Sequence, residues 1–138
     1  MAKPLKVRDV MTREVHTVER NDQIGLADRR MAEHRIRHLP VLDESGEVCA
    51  VVSQRDLFRG ALLRTLGFGS RAEETLMKQV VVKEAISGEL VTIGPDAPLA
   101  EAAKLMFEKK IGCLPVIEDR KLIGILTEAD FVRLAASA

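Results

Sequence analysis

The second half of this chain repeats its first, and that constrains the fold more than any other feature. "HLPVLDESGEVCAVVSQRD" begins at His38, and "CLPVIEDRKLIGILTEAD" begins at Cys113. A shift of 75 residues sets Val7 on Val82, Thr17 on Thr92, Ala27 on Ala102, Met31 on Met106 and Ile36 on Ile111. It also sets Leu39-Pro40-Val41 on Leu114-Pro115-Val116. One residue is lost in the turn around Ser45-Gly46. Beyond it a shift of 74 sets Ala50 on Gly124, Ser53 on Thr127 and Asp56 on Asp130. One such repeat is too short to bury a good core alone, so two copies are expected to fold together.

Each repeat reads as β-α-β-β-α. An extended piece ("EVHTV", "ELVTI") leads, and a helix follows with apolar residues at helical spacing. In the first repeat that face holds Ile24, Ala27 and Met31, with Asn21 or Asp22 as the expected cap. In the second it holds Leu99, Ala102 and Met106, with Asp96 as the cap. The apolar runs Leu39–Leu42 and Val48–Val52, joined by "DESGE", predict two strands and a turn. Leu114–Ile117 and Leu122–Leu126 around "EDRK" predict the same. After each Ser/Thr step a new helix is expected, carrying the Asp in its first turn. The fold class that follows is α+β, with two β-α-β-β-α repeats packed about a pseudo-twofold axis. The expected organisation is residues 1–66, a connector at 67–81 containing a short helical stretch, and residues 82–138.

Composition narrows the function classes. Among 138 residues, 21 basic and 21 acidic side chains balance, so no global field favours nucleic acid or an anionic membrane. Trp and Tyr are absent and Phe is scarce, which weakens any reading built on aromatic base-stacking platforms without excluding one. No apolar run approaches a bilayer span and the first residues lack a signal-peptide core, so a cytoplasmic protein is expected. Cys49 and Cys113 form no CxxC and read as buried free thiols. There is no HExxH, P-loop or GxSxG, and "GFGS" lacks the lysine and spacing of a phosphate loop. His16, His34 and His38 show no metal-ligand grouping. Neither a catalyst nor a metal site is expected.

The chemistry therefore falls on the doubled Ser/Thr-x-x-Asp step. Ser53-Gln54-Arg55-Asp56 and Thr127-Glu128-Ala129-Asp130 both read as capping boxes, with the hydroxyl and carboxylate satisfying helix-end donors. A helix N-terminus can equally receive a phosphate. From the residues alone both readings stand.

The doubled "HLPV"/"CLPV" followed by "AVVSQRD"/"GILTEAD" resembles a tandem pair of cystathionine-beta-synthase (CBS) domains, the Bateman module. The resemblance runs from about Val7 to Leu134. It implies a regulatory module that binds an adenine nucleotide, AMP foremost, in a cleft between the repeats, with no cofactor. The motif Asp would accept from ribose hydroxyls, which suits a carboxylate able to take two donors at once. The preferred site implied is Asp130, with Thr127, Ile125, Thr12, Val15, His16, Ile36, Arg37 and His38. A second, weaker site is implied at Asp56, with Ser53, Val51, Ser87, Leu90, Val91, Ile111, Gly112 and Cys113. The distinction rests on Arg37-His38, which resembles the basic pair of nucleotide-sensing members such as the regulatory subunit of AMP-activated kinase. Gly112-Cys113 holds the matching place. Residues 28–38 carry four arginines and two acids, which also fits a solvated helix end. The resemblance further implies a homodimer acting on a separate, unidentified effector protein. The alternatives are a purely structural dimerisation module, another adenosyl ligand such as S-adenosylmethionine, or a nucleic acid.

Overall fold

The computed structural model describes residues 3–65 and 80–137. Most of the connector expected at 67–81, including its helical stretch, lies outside them. The chain forms two compact units: a terminal unit of Met1–Val15 with Val91–Ala138, and a central unit of His16–Leu90. These units do not coincide with the sequence repeats. Each contains the helix, hairpin and final helix of one repeat together with the lead segment of the other, residues 3–15 in the terminal unit and 80–90 in the central one, while each short lead strand stays with its own hairpin.

The terminal unit begins with α1 (Val7–Val10), a single turn. It continues with α5 (Leu99–Lys109), β4 (Cys113–Glu118), β5 (Lys121–Thr127) and α6 (Glu128–Ala136). The central unit holds β1 (Val18–Glu19), α2 (Ile24–His34), β2 (His38–Leu42), β3 (Val48–Ser53), α3 (Gln54–Thr65) and α4 (Val82–Ala85). The expected α+β class holds, and so do both hairpins and both apolar helix faces. Ile24, Ala27 and Met31 are buried in the central core with Leu39, Val41 and Val52. Leu99, Ala102 and Met106 are buried in the terminal core with Val7, Leu114, Val116 and Leu126.

The exchange of lead segments is made by backbone hydrogen bonds that repeat at the 75-residue shift. Val7 N donates to Ala97 O at 3.0 Å, and Val82 N donates to Asp22 O at 2.8 Å. Leu99 N donates to Leu5 O at 2.9 Å, and Ile24 N to Val80 O at 3.0 Å. These last two bonds explain why the expected caps are wrong. The helices are entered through Gln23 and Pro98, neither of which makes a side-chain cap bond. A carbonyl of the exchanged segment already takes the first helical N–H, so a capping carboxylate is not required. Asp22 instead accepts from Glu19 N at 2.8 Å. Asp96 pairs with Arg8 at 2.8 Å, and the guanidinium holds this carboxyl below the usual carboxylate range.

The lead strands are shorter than the sequence predicts. Of "EVHTV" only Val18 joins a strand, Val18–Glu19, parallel to Val41–Leu42, and "ELVTI" contributes a single bridge, Ile93 to Val116. The hairpins differ at the lost residue. Asp119 and Arg120 both take positive φ, 51° and 67°, the backbone that a tight two-residue turn demands. The longer turn places Gly46 at φ 84°, while Asp43 Oδ1 accepts from the Ser45 and Glu47 amides.

Candidate functional site

Each unit carries one strand-to-helix step, built the same way. At the end of β3, Ser53 N donates to Asp56 Oδ2 at 2.9 Å, and Asp56 N donates back to Ser53 Oγ at 3.0 Å. At the end of β5, Thr127 N donates to Asp130 Oδ2 at 2.9 Å, and the Thr127 side chain accepts from the Asp130 amide. Both are formed capping boxes. The cap occupies one carboxylate oxygen and leaves the other, Oδ1, turned to a different purpose.

In both units that second oxygen accepts from a hydroxyl of the exchanged lead segment. Ser87 Oγ donates to Asp56 Oδ1 at 2.7 Å, and Thr12 Oγ1 donates to Asp130 Oδ1 at 2.7 Å. Thr12 is fixed by a two-way backbone bridge with Ile125, at 2.8 and 2.9 Å. Ser87 and Thr12 match at the 75-residue shift, as the sequence repeat requires.

The two carboxylates differ in what else they meet. Asp130 is 1% exposed and also accepts from Arg133 Nη2 at 2.5 Å. Asp56 is half-buried, and among the described residues no ion pair joins it to Arg59, which stands at the matching place. Arg133 was not singled out in the sequence. The signal for it was its spacing, three residues beyond the Asp on a helix, which puts both side chains on one face.

The terminal unit thus brings Thr12, Ile125, Thr127 and Asp130 together. Val15 lies on the same lead segment, half-buried. His16, Ile36, Arg37 and His38 belong to the central unit. There His16 stacks on His34, with centroids 3.5 Å apart and planes 14° from parallel. Ile36 packs against the central core. Arg37 and His38 stand beside the central step, because Gln54 N donates to Arg37 O at 2.8 Å and His38 pairs with Ser53. Of the second set, the central unit holds Val51, Ser53, Asp56, Ser87 and Leu90. The terminal unit holds Val91, Ile111, Gly112 and Cys113. Val91 and Ile111 pack on its core, and Cys113 pairs with Thr127.

Cys113 is buried, but Cys49 is only half-buried, which corrects the expectation for that thiol. Its position near the hairpin turn, with Sγ donating to Val41 O at 3.4 Å, leaves one side uncovered. Burial, with Asp130 adding a smaller repulsion, pushes the Cys113 thiol up to about 12. The folded protein therefore holds this proton where the unfolded chain releases it. Stability from Cys113 is whole below pH about 9 and falls as pH rises towards 12. Native iodoacetamide treatment at pH 8 is expected to label Cys49 well ahead of Cys113, read by mass spectrometry. Equal rates would contradict this.

Among the described residues no three metal-ligating side chains gather, and no helix is long and apolar enough to cross a membrane. The sequence pattern of the CBS domain matches residues 7–62 and 82–137. The chain belongs to the CBS domain family. It spans 32%, 24% and 24% of the length of the first curated relatives it matches. Solved structures agree with the fold. The AcuB protein of Vibrio cholerae is 34% identical with a TM-score of 0.81, covering 98% of this chain and 93% of that one. The CBS domain pair of protein MJ0100, solved with 5'-methylthioadenosine and S-adenosyl-L-methionine, is 25% identical with a TM-score of 0.81 and 98% coverage of both chains. CBSX2, solved with AMP, is 32% identical with a TM-score of 0.75 and 96% coverage of both.

Proposed function

We propose that this protein is a regulatory module that binds an adenine nucleotide, AMP foremost, through its motif carboxylates and signals to a separate partner protein. The observation that carries this reading is the hydroxyl on each Oδ1. Thr12 and Ser87 offer Asp130 and Asp56 the kind of donor that a ribose would offer, at 2.7 Å in both units. The cap bonds fix the carboxylate through its other oxygen, so an incoming sugar meets an acceptor already oriented. Arg37 supplies the positive charge a phosphate needs and can meet it with two parallel bonds, while the His38 ring adds an N–H donor beside it. The AMP complex of CBSX2 supports the ligand class. Signalling follows if the ligand favours one of two arrangements of the protein, since only differential affinity shifts an equilibrium. In this reading the protein is a cytoplasmic binding module rather than a catalyst, and it acts as a homodimer.

A second reading has its own support. The MJ0100 complexes contain adenosyl ligands without phosphate, and such a ligand needs the carboxylates but not Arg37. Calorimetry separates the two. AMP is expected to bind wild type, and Asp56→Ala or Asp130→Ala should each weaken its own site about tenfold or more. Arg37→Ala should weaken AMP and spare adenosine. Tight S-adenosylmethionine binding indifferent to Arg37→Ala would favour the second reading. No heat with AMP, ADP, ATP or S-adenosylmethionine at millimolar concentration would remove both.

A further inference from the structure

We infer that Arg133 is an internal latch on Asp130, competing with the ligand's sugar for Oδ1 and making the two carboxylates unequal. The inference rests on the ribose-acceptor reading above. It begins from what Asp130 must give up. Its Oδ2 is held by the Thr127 amide, and its Oδ1 accepts from both Thr12 and Arg133. With 1% exposure, the group has no side left open to solvent. A carboxylate has about four lone-pair directions, and bonds from charged donors are the strongest it makes. A neutral sugar hydroxyl that displaces a guanidinium exchanges a charge-assisted bond for a neutral one.

Arg133 is suited to let go. Its side chain is 65% exposed while Asp130 is 1% exposed, so the guanidinium reaches in from water and can return there. Thr12 cannot leave as easily, because both its backbone groups are tied to Ile125. Asp56 carries the matching cap and the matching hydroxyl but meets no guanidinium among the described residues. Its Oδ1 therefore accepts a sugar hydroxyl without first losing an ion pair. Sugar binding is expected to fill the Asp56 position before the Asp130 position, the reverse of the order that the family resemblance implies. Once displaced, the Arg133 cation is freed for an anionic group, so the latch penalises a bare nucleoside more than a nucleotide.

Adenosine, which has no phosphate, is the discriminating probe. In an Asp56→Ala background, where only the Asp130 position remains, Arg133→Met is expected to raise adenosine affinity about tenfold in calorimetry. It should raise AMP affinity less, or lower it. Arg133→Lys, which keeps a cation on a flexible stem, should lie between wild type and Arg133→Met. Arg133→Met also removes charge from beside a buried carboxylate and should lower stability, so a purely structural role predicts weaker binding. Unchanged or weaker adenosine binding in the Met variant, while wild type binds AMP, overturns the latch and leaves the ribose-acceptor reading intact. Absence of adenosyl binding in every protein, wild type included, overturns that reading and the latch with it.

Discussion

Asp130→Ala is expected to lower stability by about 3 kcal/mol, or roughly 10 °C in melting temperature. The truncation strands three groups at once. The Thr127 amide loses its cap acceptor, the Thr12 hydroxyl loses its partner at a half-buried site, and Arg133 loses its counter-charge. A cavity replaces a side chain that was 1% exposed. Asp56→Ala removes the equivalent cap and hydroxyl contact from a half-buried position and has no guanidinium to strand. Its cost should be about 1 kcal/mol. Asp130→Asn should fall between them, since the amide oxygen still accepts from Thr127 N. Urea titrations of the three variants test this, and equal losses for the two alanine variants would show that the difference in burial and pairing has no energetic weight.

Gly124→Ala should be the second large effect, with a loss of about 2 kcal/mol from overpacking. A Cβ built there would stand 2.5 Å from Met11 Sδ, 3.1 Å from Met11 Cγ and 3.1 Å from Thr12 O. Met11 is buried at 7% exposure, and the Thr12 carbonyl is held by Ile125 N at 2.9 Å, so neither neighbour moves freely. The matching residue in the other repeat is Ala50, which is 7% exposed and carries its methyl in the central core. The same place in the pattern thus tolerates a methyl in one unit and excludes it in the other. Met11→Ala should recover part of the loss in the Gly124→Ala background, giving a coupling that denaturation can measure. Gly124→Ala folding with wild-type stability would refute the close approach.

The sequence made the helices and hairpins legible because the apolar spacing appears twice and each copy checks the other. Ile24, Ala27 and Met31 face a core for the same reason that Leu99, Ala102 and Met106 do. The two motif steps were equally legible, since Ser/Thr-x-x-Asp after an apolar strand has few other uses. The repeat alone does not say which lead segment serves which half; the family resemblance supplied that, setting Thr12 with Asp130 and Ser87 with Asp56, and both contacts are present. Thr12 and Ser87 are both hydroxyls, and either would satisfy either carboxylate, so local chemistry carries no label. The same exchange hid the helix ends. Asp22 and Asp96 look like caps, but carbonyls of Val80 and Leu5 took that role. Arg133 escaped notice because Arg59 shares its spacing, and only geometry separates a paired arginine from one that is not.

The terminal unit gathers residues from both ends of the chain, whereas the central unit is continuous from His16 to Leu90. During synthesis the central unit leaves the ribosome whole, while residues 3–15 emerge before it yet must wait for their docking partners from Val91 onward. Closing a gap of that length costs about 4 kcal/mol in chain entropy, recovered only when the last helix and hairpin are in place. Asp130 therefore gains its Thr12 neighbour only late in assembly, and a chain cut short before that point carries the Ser87–Asp56 contact without its counterpart.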